Sequence, residues 1–255
     1  MMRGYWRVVP VLLAAGALHP GGAAAQLGFN GVITFQSDRS GGKSDTFVQT
    51  TKGNKLRLDG FGSSQGTMII DNDAKTMIIV EPEKKQYMLM TQEDAKQMQA
   101  MMGPMMHQQH ATDPSKYKFE KTGKSEVVAG APCEMWHGVY TGEKGEKEEG
   151  DACVAEGVGF ALADLTYNNP LLQGTGARRD QMEQFRQLVG GNKGILKATN
   201  TKDGKPSTQL EATKIERKVV GDDVFAPPAG YKEIRISDMM AKAHEGMMPP
   251  PAKPQ

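Results

Sequence analysis

The sequence contains no apolar run long enough to cross a membrane as a helix, which takes about 20 residues. The nearest approach, Val8–Leu18, is about half that length. It follows the basic residues Arg3 and Arg7 and precedes small residues that end at Ala25. Positive charge, a short apolar stretch and small residues, in that order, are typical of a cleaved secretory signal peptide. We therefore predict cleavage between Ala25 and Gln26, a periplasmic or secreted protein, and no stable membrane insertion.

Neither sign of charge is in excess. The chain has 31 Lys and Arg against 30 Asp and Glu, a net charge of +1, and the predicted cleavage removes the basic residues Arg3 and Arg7. Nucleic-acid backbones are bound by clustered Lys and Arg, which release counterions from the phosphates. A nearly neutral mature chain therefore predicts that nucleic acid is not a partner.

Cysteine is scarce, since the sequence has only Cys133 and Cys153. They do not form a C-x-x-C pair, so a redox or metal role is the lesser interpretation. In an exported protein such a pair predicts a disulfide. The charged run between them is turn-prone, and folding about Glu143 would place positions 133 and 153 opposite each other on two strands. No Cys lies near the predicted cleavage site, which argues against lipid attachment there.

Short strand-like runs occupy the first part of the mature chain. Lys55–Asp59 shows the pattern most clearly, because Leu56 and Leu58 alternate with charged residues and leave one face of the strand apolar. Turn-forming residues separate such runs at a spacing of about ten residues, as in an antiparallel meander. The predicted strands are Gly31–Phe35, Thr46–Thr50, Lys55–Asp59, Thr67–Ile70, Thr76–Val80 and Gln86–Met90.

A helix follows these strands. Thr91 is a suitable cap, acidic residues occupy the first turn, and Gly103-Pro104 is expected to end the helix. The rest of the chain mixes strands with two helical stretches. The further strands are Tyr117–Phe119, Glu126–Val128, both arms of the Cys hairpin, Ile195–Ala198, Gln209–Ile215 and Tyr231–Ile236, and the helical stretches are Phe160–Leu165 and Asp180–Val189.

These elements predict an α+β, mostly β fold. We expect one curled antiparallel sheet of about eight or more strands, an incomplete β-barrel, with a few helices covering one face. The predicted organisation is a signal peptide over 1–25, a single domain over 26–236, and a short helix with a Pro-rich mobile tail over 237–255. Such a sheet tends to leave an apolar concavity under its helices.

Three segments carry a family resemblance. Asp71–Met77, Glu83–Met88 and Phe225–Tyr231 resemble a bacterial family of exported proteins known only as a domain of unknown function, and the likeness spans roughly Phe29–Ile236. Its members resemble the LolA-like periplasmic lipoprotein carriers, in which helices cover an incomplete β-barrel over an apolar cavity. The resemblance implies a LolA-like half-barrel domain over 26–236 that carries or senses an acyl chain or a lipidated partner. It implies no catalytic residues.

One motif suggests a hydrolase. Gly62–Gly66 matches G-x-S-x-G, in which a strand-to-helix turn exposes a nucleophilic serine, here Ser64. The run instead joins two predicted strands, so a hairpin turn is the favoured interpretation.

Methionine is the most distinctive residue, with 17 in the chain. A group after Thr91 falls at helical spacing, and unbranched, polarisable side chains of this kind suit either a packed inner stripe or a pliable lid over acyl chains. The predicted lid and ligand-binding residues are Met98, Met101, Met102, Met105 and Met106.

The same region permits a metal site. Thioether and imidazole groups suit Cu(I), and the alternative ligand set is Met101, Met105, Met106, His107 and His110. A second group of similar composition lies near the carboxyl end: Met239, Met240, His244, Met247 and Met248.

His137 has no second His or Cys at ligand spacing, so we predict a strand residue on the polar face.

With no catalytic constellation found, the leading hypothesis is an exported, non-enzymatic binding protein without a cofactor. It would accommodate an acyl chain, a lipid or a lipidated partner between sheet and helices. A periplasmic copper-binding protein, and an envelope structural or interaction protein without a small ligand, are the alternatives.

Overall fold

The computed structural model describes residues 29–39, 43–61, 66–97, 117–141, 147–159, 193–202, 205–235 and 238. The predicted signal peptide, the helical stretches Phe160–Leu165 and Asp180–Val189, and the predicted tail lie outside these residues.

Twelve strands make up most of the described chain. The six strands predicted between Gly31 and Met90 are confirmed, because each lies within an observed strand. The strands are β1 (Gly31–Arg39), β2 (Lys43–Lys52), β3 (Lys55–Phe61), β4 (Gly66–Asp71), β5 (Thr76–Glu81), β6 (Gln86–Thr91), β7 (Tyr117–Val128), β8 (Ala131–Thr141), β9 (Lys147–Glu156), β10 (Lys193–Lys202), β11 (Lys205–Arg217) and β12 (Lys232–Arg235).

Helical structure is sparse among the described residues. A helix, α1, begins after β6 and its described part covers residues 92–97. Two 3₁₀ turns, Pro82–Lys84 and Asp222–Phe225, precede β6 and β12. The predicted cap is confirmed: the Thr91 hydroxyl oxygen accepts from the Asp94 backbone N–H at 3.3 Å, and the Thr91 backbone N–H donates to Asp94 Oδ2 at 2.8 Å. Asp94 thereby plays the part of the acidic residue in a capping box.

All twelve strands belong to one sheet in the order β12-β6-β5-β4-β3-β2-β1-β11-β10-β9-β8-β7. The sheet is curled and does not close, which confirms the predicted mostly β fold. Neighbouring strands run antiparallel with one exception. The last strand, β12, pairs parallel to β6, with Lys232 opposite Gln86 and Arg235 opposite Leu89.

One strand prediction was wrong in its extent. Tyr117–Phe119 and Glu126–Val128 were expected as separate strands, whereas they are the ends of β7. The polar residues between them stay in the strand through a bulge between Lys121 and Ser125, where Gly123 has φ of 73°. A glycine adopts this left-handed conformation without the strain that a side chain would add.

The disulfide between Cys133 and Cys153 is present, with the two Cα atoms 5.3 Å apart. The predicted register was off by two positions. Cys133 lies opposite Ala155, and Cys153 lies opposite Met135, so the bond runs diagonally between β8 and β9. Both sulfurs are in the core, because Cys133 is 4% exposed and Cys153 is 0% exposed.

Side chains of β3 to β6 are packed on both faces of the sheet. On one face Leu56, Leu58 and Ile70 form a cluster with Met77, Met90 and the helical residue Ala95. On the other face Ile69 and Val80 pack against Val220 and Phe225. Because successive residues of a strand point to opposite faces, Ile69 and Ile70 belong to different clusters.

Candidate functional site

A band of apolar side chains covers one face of the sheet from β1 to β6. The register shows that they share a face, since side chains opposite each other on paired strands point the same way. We call this set the apolar face. It consists of Ile33, Phe35, Phe47, Leu56, Leu58, Met68, Ile70, Met77, Ile79, Met88 and Met90.

Four methionines lie together at the β4–β6 end of the apolar face. Met77 pairs directly with Met90, and Met68 and Met88 flank Ile79 on its two sides. Met77 and Met90 are 4% and 7% exposed, whereas Met68 and Met88 are only half-buried. These four methionines were not predicted as a group from the sequence. The available signal was the alternation within each predicted strand, which puts Met68 with Ile70, Met77 with Ile79 and Met88 with Met90. The register between the strands was needed to bring the four methionines to one face.

Helix α1 begins at the edge of this methionine cluster. Its residue Ala95 is 6% exposed and packs with Leu56, Ile70 and Met90. The predicted lid and metal residues follow along the chain but lie outside the described residues. They are Met98, Met101, Met102, Met105, Met106, His107 and His110.

Two polar side chains interrupt the apolar face at β2. Gln49 and Thr51 share that face, and they are 5% and 0% exposed. Gln49 lies opposite Ile33 on β1 and Leu58 on β3. Its Nε2 donates to Thr51 Oγ1 at 3.4 Å, which is long for such a bond. Burying polar groups in apolar surroundings costs free energy unless they are well paired.

The opposite face of β3 to β5 is covered by the segment that leads into β12, residues 218–231, which we call the strap. Phe225 and Val220 anchor it, at 8% and 6% exposure. Arg57 fastens it by donating from Nη1 to the Val224 carbonyl at 2.8 Å. The Arg57 guanidinium is itself held by two bonds to the Asp59 carboxylate, at 2.7 and 2.8 Å.

Charged groups hold the exposed end of the strap. Lys52 Nζ lies 2.7 Å and Lys55 Nζ 3.4 Å from the Asp222 carboxylate. The hydrogen bond from Lys52 is the main reason that the pKa of Asp222 lies below its ordinary value of 3.8, and Lys55 lowers it further. The pKa of Lys55 is raised chiefly by the charge of Asp71. These contacts are structural, since they join the strap to β2 and β3.

A family model described as domain of unknown function DUF4412 matches residues 29–231. The chain belongs to this family. None of the curated proteins compared with the chain matches it. The crystal structure of an uncharacterized conserved protein from Thermus thermophilus is similar over 82% of this chain and 91% of that one, at 10% identity and a TM-score of 0.44. The likeness to LolA-like carriers stays a prediction.

In this DUF4412 chain, His137 lies on the face opposite to the one predicted. It shares a face with Cys133 and Met135 of the core, because β8 is regular over these residues. Its Nδ1 is 2.7 Å from Asp151 Oδ1, and the two side chains are 30% and 44% exposed. The partner carboxylate on β9 explains how a histidine can occupy the end of an apolar row.

A small pocket lies between β6, α1 and β12 of the DUF4412 chain. Its volume is about 260 Å³, and its lining is Leu89, Thr91, Glu93, Asp94, Gln97 and Arg235. Asp94 is already used by the helix cap, and the guanidinium of Arg235 is paired with Glu233 at 3.0 Å. The mixed, charged lining does not suit an apolar ligand.

The G-x-S-x-G segment connects β3 to β4, which are paired antiparallel as a hairpin prediction requires. Ser64 itself lies outside the described residues. Within the described ranges, no group of three or more His, Cys, Asp and Glu side chains is arranged to hold a metal ion.

Among the helices of the described residues, none is both long and apolar enough to cross a membrane.

Proposed function

We propose that this protein is an exported, non-enzymatic binding protein whose apolar face accommodates an acyl chain, a lipid or the lipid group of a partner. The apolar face carries this proposal. Its half-buried members Met68, Ile79 and Met88 are adjacent on three strands, at the point where α1 starts. Methionine side chains repack around ligands of different shape, which suits a site for variable chains.

Export is part of the proposal. Residues 1–25 would be the signal peptide, removed before Gln26, and the mature protein would be periplasmic or secreted. A disulfide in the core is compatible with an oxidising compartment. The proposed lid is the Met98–Met106 stripe, covering the face as helices do in LolA-like carriers.

Two neighbouring isoleucines provide a matched test. Ile79 lies on the apolar face, and Ile78 lies on the other face beside the strap, and both are half-buried in β5. We predict that Ile79→Gln weakens binding of the neutral dye 1-N-phenylnaphthylamine about ten-fold, because the new amide would have to be buried against the ligand. Ile78→Gln should leave the dye affinity unchanged while lowering stability to a similar degree.

Fluorescence titration measures the affinity, and native mass spectrometry of protein purified from the cell envelope detects any lipid carried with it. Protein that is consistently ligand-free and also fails to bind the dye would contradict the proposal. Equal loss of dye binding in both variants would show that the dye follows stability and not the apolar face.

A copper-binding function is the second candidate, favoured by the four thioether side chains gathered on β4, β5 and β6. Titration with Cu(I), with bicinchoninate as competitor, tests it. Submicromolar binding that disappears when Met101, Met102, Met105, Met106 and His107 are replaced, or when the half-buried Met68 and Met88 of the strands are replaced by leucine, would favour copper. Binding of neither lipid nor copper would favour an envelope structural protein.

A further inference from the structure

The apolar face contains a buried polar pair. In β2, Gln49 lies between Ile33 of β1 and Leu58 of β3, and Thr51 lies between Gly31 and Leu56. Leucine or valine at these positions would continue the pattern of Ile33 and Leu58. A buried polar group in such a row calls for a reason beyond packing.

The hydrogen bonding of this pair leaves donor capacity for another molecule. An amide side chain offers two N–H donors and one acceptor. Among the described residues, the Gln49 side chain makes a single hydrogen bond, to Thr51 at 3.4 Å. At least one N–H of Gln49 thus has no acceptor among the described residues. A carbonyl oxygen lying against the apolar face would supply one.

The surroundings of Gln49 also favour an uncharged ligand group over an ionised one. Across the sheet and along β2, Gln49 is flanked by Ile33, Phe47 and Leu58, none of which is charged. Next to these described neighbours an ionised carboxylate would be desolvated with no cation beside it, at a large cost. A neutral ester or amide carbonyl avoids that cost.

We infer that Gln49 and Thr51 bind the carbonyl of an ester-linked or amide-linked acyl chain, and that the apolar face discriminates against ionised fatty acids. This inference rests on the proposed apolar-ligand function and specifies its ligand class. The chain would extend over the apolar rows on either side, with the linking carbonyl at Gln49. A free lipid and the lipid group of a lipoprotein both carry such a carbonyl.

The experiment uses the mature protein and displacement of bound 1-N-phenylnaphthylamine at about pH 7, where fatty acids are ionised in water. Methyl palmitate is expected to compete at least ten-fold better than palmitate. Gln49→Met, which keeps the side-chain volume and removes the amide, should weaken competition by methyl palmitate about ten-fold. Thr51→Val, nearly isosteric, should weaken it in the same direction.

Thr50 provides the control, because it is 5% exposed in the same strand and points to the opposite face. Thr50→Val should leave the competition unchanged. Thermal unfolding without ligand should give Gln49→Met a midpoint no lower than that of the wild type, since the 3.4 Å bond that it removes is long and the new side chain is apolar like Ile33 and Leu58 beside it.

Other results would distinguish a wrong role for Gln49 and Thr51 from a wrong proposal of apolar-ligand binding. Dye and ester binding that are unaffected by Gln49→Met and Thr51→Val overturn the inference and leave the binding function standing. A lower midpoint with unchanged affinity assigns the pair to the fold and also overturns it. No dye or ester binding by the wild type removes both. Competition by lysophosphatidylethanolamine and by a triacylated lipopeptide distinguishes the two sources, and Gln49-dependent binding of either supports the inference.

Discussion

Single side chains decide how the strap stays on the sheet. Its buried anchor is Phe225, and its polar contacts are the Arg57 bond to the Val224 carbonyl and the two lysines at Asp222. The Asp222 pair is solvent-exposed, so its contribution to stability is small and falls with added salt. The Arg57 bond is half-buried and depends less on the solvent.

Asp222 gives a pH prediction. Its pKa is lowered in the folded protein, chiefly by the hydrogen bond from Lys52. The stabilisation is therefore complete above the ordinary value of 3.8 and is lost as the pH falls through the lower folded-state pKa. We expect Asp222→Asn to lower the midpoint of thermal unfolding slightly at neutral pH and to match the wild type in strong acid. A difference that grows as the pH falls below 3.8 would contradict this.

At the scale of elements, the β8–β9 hairpin is held by its cross-link. Replacing Cys133 and Cys153 together by alanine should lower the free energy of unfolding by about 3 kcal/mol, because the disulfide closes a loop of 20 residues in the unfolded chain. Urea unfolding of the oxidised protein and the double variant measures the difference. Wild-type protein reduced while unfolded is the control and should behave like the variant. Coincident curves for oxidised wild type and variant would contradict the prediction.

Local sequence patterns predicted the elements well and their partners less well. The alternation in Lys55–Asp59 and the capping residue Thr91 each act within a few positions, so they can be recognised without the fold. The parallel pairing of β12 and the face of His137 depend on distant or cross-strand partners. The apolar face could not be predicted either, because identifying it requires the register between six strands.

At the scale of the whole molecule, an open sheet has two edges that could pair with other chains. In the described sheet these edges are β12, of four residues, and β7, of twelve. The bulge at Gly123 and the exposed side chains of Lys121 and Lys124 make β7 a poor template for another strand. The long edge is thus protected by its own sequence.

We predict that Lys121→Val with Lys124→Val makes the protein self-associate as its concentration rises. The double variant removes two exposed charges that discourage pairing with another strand, together with the ion pair of Lys121 with Glu134 at 2.8 Å. Light scattering after size exclusion measures the mass. Lys214→Val is the control, since Lys214 is exposed on the interior strand β11. A monomeric double variant at all concentrations would show that the bulge alone protects the edge.

The pairing of β1 with β11 also fixes when the sheet can be completed. One neighbour of β1 is β2, which follows it directly in the chain and is synthesised early. The other neighbour is β11, in which Arg217 pairs with Gly31, and it is synthesised late. Such long-range pairing slows folding, because the entropy of closing a long loop is lost before the stabilising contacts form. A chain that leaves the ribosome amino end first therefore keeps one side of β1 open until residue 217 has been made. A chaperone that shields unpaired strand edges during synthesis would have its longest-lived target there.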